Sequence, residues 1–135
     1  IATAAIGALF LLLSVSVSAQ DDVAAMRSAI EAQLEAFHGG DAQRAFSFAS
    51  DRIQETFGTA ENFIATVLSQ YAVLIAPASV VFLTPQHVEG PTLQPVQMID
   101  EQGRLWLALY SMQLDASGEW RINGCVLRRL HGSST

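Results

Sequence analysis

Two kinds of periodicity divide the chain. From residue 21 to residue 76 apolar positions recur every three or four residues, and from residue 79 onward they alternate or gather in short β-branched runs. Val23, Met26, Ile30, Leu34 and Phe37 form the stripe of an amphipathic helix. Asp21 and Asp22 suit the positive N-terminal end of that helix, and Gly39-Gly40 stops it. Asp41 is placed to cap a second, short helix containing Ala45, Phe46 and Ala49. Residues 50–58 read as a connection with a turn, anchored inward by Ile53 and Phe57. Thr59 opens a third helix, in which Phe63, Ile64, Val67, Leu68 and Tyr71 share a face, and Pro77 ends the helical half.

The second half predicts four strands. Residues 79–84 are β-branched and aromatic, and residues 93–99 alternate in part. Pro85, Pro91 and Pro95 mark these two strands as irregular or peripheral. Residues 104–114 and 119–129 are clearer, each preceded by a loop of one form, Asp100-Glu101-Gln102-Gly103 and Asp115-Ala116-Ser117-Gly118. A type I turn followed by Gly at positive φ explains Asp first and Gly fourth. The sum is an α+β domain: three N-terminal helices on a curved, mainly antiparallel four-stranded sheet. Within residues 104–114, Trp106, Ala108, Tyr110 and Met112 form one face, and Leu105, Leu107 and Leu109 the other. A strand with one solvated face alternates apolar with polar. This one is apolar on both, and the helices cover only one, so the expectation is a homodimer through the outer sheet face.

The leading segment changes the composition. Residues 1–19 hold no charge and 14 of them are hydrophobic; the remaining 116 residues carry all twenty charges and are about 47% hydrophobic, ordinary for a globular domain. The apolar run 9–13, then small residues ending in Val17-Ser18-Ala19, has the form of a secretory signal peptide. The positive segment of such a signal would lie ahead of Ile1. The alternative is an uncleaved anchor, which would put the domain at a membrane. Either way the expected place is periplasmic or secreted, with one domain over residues 20–130 and a short polar tail over residues 131–135.

Charge and chemistry then exclude. There are seven Arg and no Lys, which removes Schiff-base and P-loop lysine chemistry. Thirteen acids against seven bases, with no Arg cluster beyond Arg128-Arg129, argue against nucleic acid. Cys125 is the single cysteine, so neither an intramolecular disulfide nor a thiolate zinc site is available.

The order of elements, with the residues that punctuate it, resembles the nuclear-transport-factor-2-like superfamily, including its SnoaL-like and ketosteroid-isomerase-like branches. Trp106-x-Ala108-x-Tyr110, then Gly118-x-Trp120-Arg121-Ile122, is similar to that superfamily's closing hairpin. A narrower similarity is to the bacterial domain of unknown function family 4864. It is carried by Phe46-x-Phe48-Ala49-Ser50-x-x-Ile53-Gln54-x-x-Phe57-Gly58, by Phe63 and Tyr71, and by Trp120-Arg121-Ile122-Asn123-Gly124-Cys125. The resemblance implies a cone, or cystatin-like roll, in which a curved sheet wraps a long first helix and leaves a pocket between sheet and helices. It implies no activity.

Ketosteroid-isomerase-like enzymes need a carboxylate base and a Tyr or protonated Asp as oxyanion donor. Here Asp21, Asp22 and Asp41 read as helix caps, Asp100 and Asp115 as turn residues, and Asp51 as a loop residue. Glu31, Glu35, Glu55 and Glu61 fall on exposed helix positions, and Glu89 lies in the Pro-rich edge. His38, His87 and His131 are dispersed, without the spacing of a metal site. No catalytic residue, metal or cofactor is therefore assigned. The polar-tipped aromatics Tyr71, Trp106 and Tyr110, with Phe63 and Met112, either line an apolar pocket with an oriented donor or simply pack the core. Asn123, polar in mid-strand, needs a backbone or ligand partner. Cys125 reads as a small buried hydrophobe, and Arg121 as one half of a cross-strand pair with a carboxylate. The expected function is non-catalytic binding of an apolar or amphipathic small molecule. The alternative is a structural or protein-interaction module dimerising through its sheet, and the third reading is an isomerase, dehydratase or hydrolase. A cavity above about 300 Å³ with convergent polar groups favours the first, and a filled cone the second.

Overall fold

No Gly or Pro falls between residues 8 and 38, so nothing local stops a helix at the expected boundary. In the computed structural model, which describes residues 10–87 and 90–131 and side chains from residue 19, helix α1 runs unbroken over Phe10–His38. Asp21 and Asp22 therefore lie inside a helix rather than capping one, and Asp22 instead accepts a hydrogen bond from Trp120 Nε1 at 3.2 Å. Of the segments expected from sequence, residues 1–9 of the leader, Glu89 and the tail beyond His131 lie outside the described residues. Among the described residues no helix is long and apolar enough to cross a membrane.

Asp41 caps α2 (Ala42–Ser47) as expected, accepting from the Arg44 amide, but Ala49 falls beyond the helix. The expected connection is in fact a helix, α3 (Asp51–Phe57), because Ser50 accepts from the Ile53 amide and Asp51 complements the first turn. Thr59 caps α4 (Ala60–Gln70) through the Asn62 amide. A 3₁₀ turn, Ala72–Leu74, follows. Four helices rather than three thus precede the sheet.

The sheet is antiparallel and open, in the order β1-β3-β4-β5, where β1 is Ser79–Phe82, β3 Thr92–Ile99, β4 Leu105–Leu114 and β5 Trp120–Leu130. A fifth, two-residue strand, β2 (Gln86–His87), pairs with the start of β3. The architecture is α+β. Gly103 and Gly118, at φ 81° and 87°, close the two turns as their Asp-x-x-Gly form requires. Contrary to the expectation from Pro95, β3 is an interior strand. Leu83 donates to the Pro95 carbonyl at 3.0 Å, but Pro95 has no N–H to return. The Gln94 side-chain amide donates to Leu83 O instead, at 2.8 Å.

On the inner sheet face Val96, Met98, Ala108, Tyr110, Met112 and Ile122 pack against Met26, Ile30 and Phe37 of α1 and Phe63 and Val67 of α4. Val23 and Leu68 belong to the predicted stripes yet point outward, at 42% and 57% exposure. No described element covers the outer face, where Val81, Ile99 and Val126 are exposed and Leu105, Leu107 and Leu109 half-exposed.

Candidate functional site

A β-bulge shapes the site. Ser111 pairs with Gly124 and Met112 with Ile122, so Asn123 is one residue too many on β5. The bulge lets Ile122 and Cys125 both face the helices and pushes Asn123 to the strand edge. There Asn123 Oδ1 accepts from Ser50 Oγ at 2.7 Å and Arg52 Nε at 3.2 Å, and its carbonyl accepts from Arg52 Nη2 at 2.7 Å. The Ser50 amide donates to Ile122 O, and the Ile122 amide to Phe48 O, both at 2.9 Å. These bonds clip the α2–α3 segment onto the edge of β5 and occupy the side-chain and backbone oxygens of Asn123.

Between this clip, α1 and α4 lies a half-open cavity of about 220 Å³. Its floor is buried and mostly apolar: Phe37, Phe63, Val67, Leu74 and Ile122, with Gln33 as the one polar side chain. Gln33 Nε2 donates to Ala45 O at 3.1 Å. The mouth carries Arg52, Thr66, Tyr71 and Asn123. Phe63 organises the wall, its ring centroid 5.9 Å from Phe37, 5.3 Å from Phe46 and 5.4 Å from Phe57. Phe57 also lines the cavity.

Of the six residues singled out from sequence, Phe63, Tyr71 and Asn123 meet at this cavity. Trp106 does not. It borders a second recess of about 380 Å³, with Leu68, Val73, Asp100, Arg104 and Leu127, under the end of α4. Tyr110 and Met112 are sealed in the core, at 0% and 3% exposure. The expectation of one shared lining fails on length: Trp106 to Met112 spans roughly 20 Å of extended strand, more than one small cavity can reach. Gln33 and Arg52 escaped the sequence reading. Gln33 interrupts the α1 stripe next to Leu34, which is the signal it offered; Arg52 gave none.

Asp100 and Asp115 lie in separate turns and do not form an acid–base pair. Burial by itself raises the Asp100 carboxyl, but hydrogen bonds from Trp106, Arg104 and Gln102 outweigh it and hold it well below the usual carboxylate range. Asp100 Oδ2 accepts from Arg104 Nε at 2.7 Å and Trp106 Nε1 at 2.9 Å, so this residue is an ionised turn clamp. Asp115 is likewise held low, by Ser117, the Glu119 amide and Arg121. Arg121 bonds Asp115 at 2.9 Å and Glu119 at 2.8 Å, so its carboxylates come from the adjoining turn and not from the opposite strand. His38 Nδ1 lies 3.3 Å from Ile75 O, and His87 Nδ1 lies 3.3 Å from Thr92 Oγ1. Among the described residues no three His, Cys, Asp or Glu side chains converge on a point that could hold a metal ion.

Cys125 lines the cavity half-buried, and desolvation pushes its thiol up to about 12, so it stays protonated and unreactive at neutral pH. Its neighbour across the sheet, Tyr110, is also raised well above its ordinary value, by burial first and by Cys125 second. The Tyr110 hydroxyl has no hydrogen-bond partner among the described residues. A buried polar atom left unpaired costs about 1–3 kcal/mol. Tyr110→Phe is accordingly expected to leave stability unchanged or raise it by about 1 kcal/mol in urea denaturation. A loss above about 1 kcal/mol would show that the hydroxyl is satisfied in solution.

The chain matches the model of the family described as Domain of unknown function (DUF4864) over residues 19–135, and it belongs to that family. No curated protein and no solved structure matches the chain.

Proposed function

We propose that this member of the DUF4864 family is an exported, non-catalytic domain that binds a small apolar or amphipathic molecule in the cavity between α1, α4 and β5. One observation carries the reading: an apolar, buried floor opens to a mouth where Arg52, Thr66, Tyr71 and Asn123 bring polar groups together. Such a combination of apolar wall and few convergent polar groups is what small-molecule sites share. The volume of about 220 Å³ limits the occupant. It falls short of the roughly 300 Å³ expected of a ligand site from the sequence, so only an occupant smaller than a drug-sized molecule is proposed. It exceeds the roughly 150 Å³ that suffices for benzene in an apolar protein cavity. A single ring or a short acyl chain fits. The fixed, low-lying carboxyls of Asp100 and Asp115 and the inert Cys125 thiol supply no general base or nucleophile, which weighs against catalysis.

The uncharged leader supports export to the periplasm or beyond, and an uncleaved leader would tether the domain at the membrane. Helices followed by an antiparallel meander, with the recess between them, support placement in the nuclear-transport-factor-2-like superfamily.

A second reading, assembly through the sheet, is favoured by the outer face. The cross-strand rows Val81–Gln97–Leu107–Arg128 and Pro95–Leu109–Val126 hold one charge between them, in a chain of net charge −6. Two copies meet there without the mutual repulsion of the acidic surface, and a two-fold pairing makes each patch its own complement. Both readings can hold at once, since the cavity lies on the other side of the sheet. The cavity reading is tested by methyl-resolved NMR titration with 3-phenylpropanol, in which the methyls of Ile53, Val67, Leu74 and Ile122 are expected to shift.

A further inference from the structure

The cavity has a charge character that its apolar floor conceals. Of its fifteen lining residues none is acidic and one, Arg52, is a cation. Arg52 is one of four arginines, with Arg44, Arg128 and Arg129, that form no ion pair among the described residues, and of these four it alone lines the cavity. Arg27, Arg104 and Arg121 form ion pairs, while Arg44 and Arg129 lie over the rings of Phe48 and Trp106. Among the described residues Arg52 has no carboxylate partner. Its nearest acids on α3, Asp51 and Glu55, border a separate shallow depression with Phe46, Gln54 and Gly58.

Arg52 is nonetheless held in place. Nε and Nη2 grip the side-chain and backbone oxygens of the bulge residue Asn123. One edge of the guanidinium is thereby occupied, and the edge formed by Nη1 and the second Nη2 hydrogen keeps two N–H donors. Parallel N–H donors of this kind match the two oxygens of a carboxylate. Because the bulge fixes the guanidinium before any ligand arrives, little side-chain entropy remains to be lost on binding.

We infer that the cavity selects small amphipathic anions, seating a carboxylate on the free edge of Arg52 at the mouth and a ring or short acyl chain on the floor formed by Phe37, Phe63, Val67 and Ile122. This rests on the reading of the cavity as a ligand site. The exposed mouth limits the electrostatic gain, since water and salt screen it.

The test compares three probes with one apolar body, 3-phenylpropionate, 3-phenylpropanol and 3-phenylpropylamine, titrated by calorimetry into the full chain and into Arg52→Gln. In the native protein the carboxylate is expected to bind about fivefold tighter than the alcohol, and the amine weakest. Added salt weakens the carboxylate alone. In Arg52→Gln the carboxylate loses its preference, so that the ratio of acid to alcohol affinity falls to about one. Arg52→Lys keeps the charge but loses the fork, and retains part of the preference, which guards against failure of the Gln variant to fold. Equal affinity for acid and alcohol in the native protein, or a preference surviving in Arg52→Gln, overturns the anion inference and leaves the cavity reading standing. Binding of none of the three overturns both.

Discussion

Replacing Phe63 by Ala is expected to destabilise the fold by about 3–5 kcal/mol, the usual cost of removing a buried aromatic ring and leaving its space unfilled. The ring is 8% exposed and touches the rings of Phe37, Phe46 and Phe57, which come from three separate helices. Its loss therefore leaves α1, α2 and α3 without the side chain they share, and the adjacent cavity grows because Phe63 is part of its wall. The surrounding helices cannot fully collapse into the gap, since α3 is clipped to β5 through Ser50 and Asn123. Phe63→Leu, which retains apolar volume, is expected to lose less than half as much. Urea denaturation monitored by circular dichroism reads both. A loss below about 1 kcal/mol for Phe63→Ala would mean that the aromatic cluster is not packed in solution.

The second large effect concerns assembly. The chain is expected to sediment as a dimer at about ten micromolar, a concentration at which interfaces of ordinary size stay associated. Val126→Arg is expected to convert it to a monomer. Val126 is 60% exposed within one chain, so the substitution leaves the single-chain fold nearly untouched. In a dimer through the outer face it would bury a cation beside Pro95 and Leu109 and on the same face as Arg128, with no carboxylate in those rows to receive it. The far-ultraviolet spectrum should be unchanged while the sedimentation coefficient falls. A native monomer at that concentration would defeat the assembly reading, and so would a Val126→Arg dimer.

How much of this was legible in the chain depended on the length of each element. The stripe through Met26, Ile30, Leu34 and Phe37 and the two Asp-x-x-Gly turns were readable because they repeat a local rule several times or combine two residues with distinct demands. Helix α3 was missed because seven residues offer only Ile53 and Phe57 as apolar positions, too few for a period; the cap at Ser50 was the signal available. Pro95 misled because its effect on β3 is cancelled by a side chain, Gln94, acting in place of the missing amide. The bulge at Asn123 was beyond reach. It reconciles the pairing of Met112 with Ile122 and that of Tyr110 with Cys125, which are one residue out of register with each other and which no local pattern reports.

The site was legible to the same degree. Phe63, Tyr71 and Asn123 were found through residue type, as an aromatic, a polar-tipped aromatic and an unexpected mid-strand amide. Trp106, Tyr110 and Met112 were grouped with them because a strand face is shared along its whole length, whereas a cavity occupies only part of it. Arg52 acquired its place from the bulge, through a contact seventy-one residues away in sequence.

The central claim is that the space between α1, α4 and β5 takes up a small apolar body, and the most direct measurement is the methyl-resolved NMR titration with 3-phenylpropanol. The cavity methyls of Ile53, Val67, Leu74 and Ile122 should shift together along one saturating curve, while those of Val81, Ile99 and Leu107 on the outer sheet face stay in place. Shifts confined to the outer face, or none in the cavity at saturating probe, would contradict the account.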